Sequence, residues 1–270
     1  MILFFRTLFY IIGILSAFVT IISFVNKDVS KLYSGYEICV YSSIAVLSFF
    51  ISWFITREKK KITIDFTDRV KVNIEYGDLF KQPGVIVIPV NEYFDVIVDD
   101  EIISRNTLHG VFVEKFFSDD ICYLKEEVDK KLSEYEGVVT NRDCGNNTKY
   151  PLGTTIKIQK DDQVFFLIAF THFNEKNRAN TTNLEYQETI IKLIDYIENN
   201  SNGYRINIPL IGSGHSGVKA KKQSLLEFLL FSIKMKEDLT LAGGIHIILD
   251  KSIKKYIKLK LIDYYYRVLK

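Results

Sequence analysis

The sequence predicts an α/β protein in two parts: two N-terminal transmembrane helices, then a three-layer α/β/α domain with a mixed, largely parallel sheet. Three observations predict it. Residues 7–25 and 38–55 are apolar runs without a charge. From residue 62 onward, short β-type runs alternate with helical periods. The chain has 270 residues, 47% hydrophobic and 25% charged, which suffices for a full core and is too apolar for disorder. Lys and Arg number 35 against 33 Asp and Glu, a formal charge of +2 that argues against a histone-like nucleic-acid binder. Cys39, Cys122 and Cys144 lie too far apart for a disulfide scaffold or a CxxC zinc site.

Each apolar run, wound as a helix, approaches the roughly 30 Å hydrocarbon core of a bilayer. A signal peptide fits poorly, because no small-residue cleavage site precedes Asn26 and a second run follows. Residues 1–56 therefore read as a transmembrane hairpin with a short connector at 26–37. Arg57, Lys59, Lys60 and Lys61 follow the second run and Arg6 flanks the first, whereas Lys27 and Lys31 in the connector face Asp28 and Glu37. The positive-inside rule then keeps both termini in the cytoplasm of a multi-pass cell-membrane protein. The polar side chains of the second run are hydroxyls, such as Ser42, Ser43, Ser48 and Ser52. They suit a simple anchor or a helix pair that packs against copies of itself.

Residues 62–270 read as a cytosolic domain. A short strand at 62–66 leads it. Val70, Val72, Ile74 and Tyr76 then alternate with polar residues, the period of a half-buried strand. The runs 85–90, 163–170, 206–211 and 245–249 are continuously apolar, as in strands covered on both faces, and 154–158 alternates. Helical faces are marked by Leu124, Val128, Leu132 and Tyr135; by Leu184, Ile190, Ile191, Ile194 and Ile197; and by Leu225, Leu226, Leu229, Leu230 and Ile233. In such sheets a ligand sits beyond the carboxyl ends of the strands. That rule selects Gly77-Asp78-Leu79, Pro89-Val90-Asn91 and the run Gly212-Ser213-Gly214-His215-Ser216-Gly217. The last run is glycine-rich, precedes a helix and has Lys219, Lys221 and Lys222 close by, which suits an anion such as a phosphate. It has neither the P-loop spacing nor the position of a dinucleotide fingerprint.

The order of these segments resembles a macro domain. VNIEYGDLF is similar to the family's first strand and Gly-Asp turn, VIVIPVNEYF to the strand that ends in asparagine, LHGVFVEKF to the loop that leads into a helix, and IPLIGSGHSGV to the late strand and second phosphate loop. With two spans in front, the chain resembles the membrane-anchored ThsA effectors of type II Thoeris antiphage defence. The resemblance implies an inner-membrane protein that binds an ADP-ribose derivative, a histidine adduct of ADP-ribose, made by a TIR-domain partner. It implies homo-oligomerisation, membrane disruption and abortive infection, with no catalytic residue, metal, resident cofactor or nucleic acid. Residue by residue it implies Asp78 at the adenine amino group, Leu79 as a further ligand-binding residue, and Asn91 at the distal ribose. Leu108, His109, Gly110 and Val111 would offer amides to the diphosphate, and Gly212, Ser213, Gly214, His215, Ser216 and Gly217 would clasp it from the other side. Thr107-Leu108-His109-Gly110 stands where family hydrolases have a glycine run, and Ile88 where they have a second asparagine. Both departures favour binding over hydrolysis, and a membrane-tethered ADP-ribosyl hydrolase or ADP-ribose reader is the alternative.

Each residue also has a plainer reading. Asp78 can cap the following turn, Asn91 can be a turn residue, and a lone His109 or His215 is ordinarily a loop residue. Residues 251–270 hold seven cations and one acid, with Ile253, Ile257, Leu261 and Tyr264 near helical spacing. They read as a solvated face of a last helix, or as a contact with anionic headgroups to which each cation contributes about 1 kcal/mol.

Overall fold

The computed structural model describes residues 2–25, 35–174, 178–214, 216–236 and 238–268. It divides into two compact units, Met1–Lys59 and Lys60–Lys270.

The first unit is two helices, α1 (Ile2–Val25) and α2 (Glu37–Thr56), both long and apolar enough to cross a membrane. Phe4 and Phe49 meet edge to face at 5.4 Å between α1 and α2. Several hydroxyls bond back onto their own helices: Thr20 donates to the Ser16 carbonyl at 2.9 Å, Ser43 to Cys39 at 2.8 Å and Ser48 to Ile44 at 2.7 Å, whereas the buried Ser52 Oγ has no partner among the described residues. This back-bonding keeps a polar group satisfied in an apolar helix. Lys27, Asp28 and Lys31, on which the orientation argument leans, lie outside the described residues.

The second unit is built on β1 (Lys61–Thr67), β2 (Val70–Tyr76), β3 (Val85–Asn91), α3 (Leu108–Phe117), α4 (Ile121–Leu132), β4 (Val138–Val139), β5 (Thr148–Lys149), β6 (Thr155–Lys160), β7 (Gln163–Phe173), β8 (Ala179–Asn180), α5 (Asn183–Asn200), β9 (Ile206–Pro209), α6 (Lys222–Lys234), β10 (Ile245–Leu249) and α7 (Leu259–Val268). The main sheet runs β1-β2-β10-β9-β3-β7-β6. Its interior pairs are parallel, and β1 and β6 close the two edges antiparallel.

The central strands are largely apolar because both faces are covered; Asn207 of β9 is a buried exception, donating to the Pro83 and Val85 carbonyls. On β3, Val85 and Val87 enter one core with α5, α6 and α7, and Ile86, Ile88 and Val90 enter the other with α3 and α4. A capping box at Thr182 and Glu185 starts α5.

Three expectations need correction. Tyr135 lies past the end of α4, half-exposed, with its hydroxyl donating to the Thr155 carbonyl at 2.8 Å. Leu184 and Ile191 are exposed on α5, and Tyr186, Thr189 and Leu193 join Ile190, Ile194 and Ile197 on the buried face. The tail is not one amphipathic helix. A 3-10 turn (Lys251–Tyr256) buries Ile253, Ile257 follows it in an extended conformation, and α7 buries Leu259, Ile262 and Tyr266 instead of Leu261 and Tyr264.

Candidate functional site

The carboxyl ends of β2, β3, β7, β9 and β10 open onto one cleft of about 1130 Å³. This is the crevice expected where parallel strands end together.

At the end of β2, Asp78 accepts from the Phe80 amide at 3.0 Å through Oδ1 and starts the turn Leu79–Lys81. Its Oδ2 lies 3.9 Å from Lys81, and the side chain is half-exposed in the cleft. The cap uses one carboxylate oxygen, and the other faces Lys81 at the cleft surface. Leu79 lines the cleft and is buried against the core of α3 and α4.

At the end of β3 the asparagine has a structural task. Asn91 Oδ1 accepts from the amides of Tyr93 at 3.0 Å and Asp95 at 3.3 Å, and Nδ2 donates to Asp95 Oδ2 at 3.1 Å. Arg142 bonds the same carboxylate at 2.8 Å, and the Asn146 amide donates to its other oxygen at 2.7 Å. The Arg142 guanidinium sits 4.2 Å from the Tyr93 ring centre. Asn91 lines the cleft, but its amide is already used to shape the turn. Next to it, buried Glu92 accepts from the Phe173 amide at 3.0 Å and contacts His172 Nδ1 at 2.8 Å, fastening this turn to β7.

Thr107 caps α3. Its hydroxyl oxygen accepts from the Gly110 amide at 3.0 Å and donates to the Ser104 carbonyl at 2.7 Å. Gly110 therefore has no free amide and does not line the cleft. A Cβ there would lie 2.3 Å from the Ser104 oxygen, so this glycine serves close packing. Leu108 and His109 occupy the first helical positions, whose amides have no partner within the helix, and both line the cleft with Val111. Burial pulls the His109 imidazole down to about 4 against an opposing bond to the Asp95 carbonyl, so it is neutral near pH 7.

After β9 the glycine run turns across the cleft. Gly212 has φ +81°, and a Cβ would meet the Tyr186 ring at 3.2 Å. Gly214 has open space at its Cβ position. Ser213 lines the cleft, as do Gly212, Gly214 and Ser216. The buried Ser216 Oγ has no hydrogen-bond partner among the described residues. Gly217, at φ +77°, packs on Ala179 outside the cleft, and His215 lies outside the described residues. Of the three lysines near this run, Lys222 lines the cleft.

The sequence reading missed several lining groups. Thr171 and Arg178 come from the end of β7 and the turn after it, and Asp250 and Lys251 follow β10. The strand-end rule, applied to those two strands as it was to β2, β3 and β9, selects the segments that carry them. The Ser252 hydroxyl and amide hold the Asp250 carboxyl below its ordinary range. Among the described residues, no group of three or more His, Cys, Asp or Glu is placed to hold a metal.

This strand order, with helices on both faces and a cleft over the strand ends, is the macro-domain fold. The Oceanobacillus iheyensis macrodomain with MES bound superposes with a TM-score of 0.54 at 13% identity, covering 77% of this chain and 98% of that one. The same macrodomain with ADP gives 0.52 at 13% identity, over 77% and 96%. The family model of the macro domain of Thoeris protein ThsA matches residues 72–250, and the chain belongs to that family. The Thoeris protein ThsA of Bacillus amyloliquefaciens is 34% identical over 175 residues, 62% of this chain and 58% of that protein. The chain thus matches little more than half the length of that relative.

Proposed function

We propose that this chain is a membrane-held receptor of Thoeris antiphage defence, with residues 1–56 as its anchor and 62–270 as its sensor. The sensor takes up an ADP-ribose-derived messenger, the histidine adduct of ADP-ribose, made by a TIR-domain protein. Occupancy favours an assembled state, and the assembled hairpins breach the membrane and end the infection. As a switch, this requires tighter binding to the assembled than to the resting state.

One observation carries the reading. A single cleft gathers a carboxylate at one strand end, two first-turn amides at Leu108 and His109, and a glycine turn with an unpaired buried hydroxyl. Carboxylate and diphosphate clasp suit an adenine nucleotide. In this reading Asp78 takes the adenine amino group, and Leu108, His109 and residues 212–216 take the diphosphate. The Gly110 amide is held by Thr107 and is not offered to the ligand, and Gly217 supports the turn from its far side. Asn91 sets the distal-ribose turn and contacts the sugar through its edge alone. In this reading the chain acts as a binder because Thr107-Leu108-His109-Gly110 stands where hydrolases have a glycine run that admits substrate and water.

The test is calorimetry of the full chain in nanodiscs with ADP-ribose and with its histidine adduct, followed by chromatography of the recovered ligand. Adduct-selective binding with intact ligand supports the receptor. Product formation moves the assignment to an ADP-ribosyl hydrolase, and no binding of either compound removes it.

A further inference from the structure

Helix α7 has two apolar faces. Leu259, Ile262 and Tyr266 are buried, and Tyr266 meets Phe66 of β1 at 5.1 Å. Leu261, Tyr264, Tyr265 and Val268, spaced i, i+3, i+4 and i+7, form a second stripe, and each is more than half exposed. A soluble helix ordinarily turns a polar face outward. The segment that carries this stripe is basic: Lys258, Lys260 and Arg267 lie beside it in the chain, and Lys254 and Lys255 in the 3-10 turn before it. The only acid between residues 251 and 268, Asp263, is buried and paired with Arg267 at 3.1 Å. Tyrosine and leucine ringed by lysine is the composition of an interfacial helix, with rings at the headgroup level and cations on the phosphates. A second copy of this chain fits less well, because a self-complementary contact here would set lysines against lysines.

We propose that the outer face of α7 seats in the headgroup region of an anionic membrane, as a docking surface additional to the two spans. This inference rests on α1 and α2 being in the bilayer, and it is independent of the nucleotide reading.

The experiment uses the full chain with Cys39, Cys122 and Cys144 changed to Ser and Val268→Cys carrying a polarity-sensitive dye. It is reconstituted in nanodiscs of phosphatidylcholine with or without phosphatidylglycerol. Lipid-borne quenchers read the dye, and the fluorescence of Trp53 in α2 reads insertion of the spans separately. The expected result is quenching of both probes in anionic discs. Dye quenching should fall about threefold or more in neutral discs, and likewise in the variant Leu261→Ser/Tyr264→Ser/Tyr265→Ser at unchanged melting temperature. Trp53 quenched with the dye unquenched in anionic discs overturns the proposal while the anchor stands. Neither probe quenched overturns both. A dye signal equal in neutral and anionic discs that grows with protein density overturns it in favour of contact between copies.

Discussion

Gly110→Ala sets two physical effects of opposite sign against each other. Alanine is favoured over glycine inside a helix by about 1 kcal/mol, so propensity alone raises the melting temperature. The new Cβ, however, would lie 2.3 Å from the Ser104 carbonyl oxygen and 3.0 Å from the Arg105 Cα, both backbone atoms. Ordinary contact distance is roughly 3.5 Å, so something must yield by about 1 Å. The 104–107 turn resists: the Arg105 amide donates to Asp100 at 2.9 Å, its guanidinium bonds Glu114 at 2.9 Å, and the Thr107 amide donates to the Ser104 carbonyl at 3.0 Å. Overpacking of this kind costs about 1–3 kcal/mol, which cancels the propensity gain at the low end and leaves a net cost of about 2 kcal/mol at the high end. For a domain of this size the melting temperature should stay level or fall, by up to roughly 8 °C. The start of α3 carries the Leu108 and His109 amides, so displacement of about 1 Å should weaken ADP-ribose binding roughly tenfold or more. Differential scanning calorimetry and titration calorimetry on one preparation read both. A melting temperature that rises with affinity unchanged would refute the packing argument and the placing of the anion site at this helix start.

Thr107→Ala removes the cap of the same helix and should cost about 1 kcal/mol in a denaturant titration, with a smaller loss of affinity than Gly110→Ala. Gly214→Val meets open space, so it should leave the melting curve in place while calorimetry shows nucleotide binding lost; binding at wild-type strength would exclude the glycine turn from the ligand. The His109 imidazole sits at about 4 in the folded chain against 6.5 when exposed, so between those values the unfolded chain holds a proton that the folded chain lacks. Its contribution is complete above pH 6.5 and is lost as pH falls toward 4, roughly 3 kcal/mol in all. His109→Gln should flatten the acid limb of stability against pH by that order, measured as the difference from wild type. Asp78→Ala should weaken ADP-ribose binding while leaving ribose 5-phosphate binding unchanged, and equal loss of both would move the adenine elsewhere.

The central strands were legible because they are buried on both faces. Such strands spell continuous runs, as in 85–90 and 245–249, and no tertiary knowledge is needed to see them. Amphipathic faces were less legible where two apolar rows share one helix. Leu184 and Ile191 carry the right period on α5, yet the core selects Tyr186 and Leu193, because the neighbouring α6 and β7 fix which row turns inward. In the tail, the Asp250 cap and the 3-10 turn reset the register, and the buried row moves to Leu259, Ile262 and Tyr266. The two-residue strands β4, β5 and β8 carry no periodicity to read. Of the site, the strand-end segments were visible, since each ends an apolar run on Gly, Asn or Asp. The uses of their polar atoms were not. That Asn91 shapes a turn with Asp95, and that Asp95 is braced by Arg142 from a distant loop, depends on contacts between residues far apart in the chain.

Tyr186 gives the glycine turn a mechanical character. The ring lies directly under Gly212, edge-on to Phe170 at 5.8 Å, with its hydroxyl donating to the Leu225 carbonyl at 3.1 Å. It is fully buried, with close-packed neighbours and no slack beneath it. The ring thus backs the turn on one side, so Gly212 cannot shift toward α5 without displacing it. Any push inward passes as a load into α5 and α6, the two helices that Tyr186 rivets together.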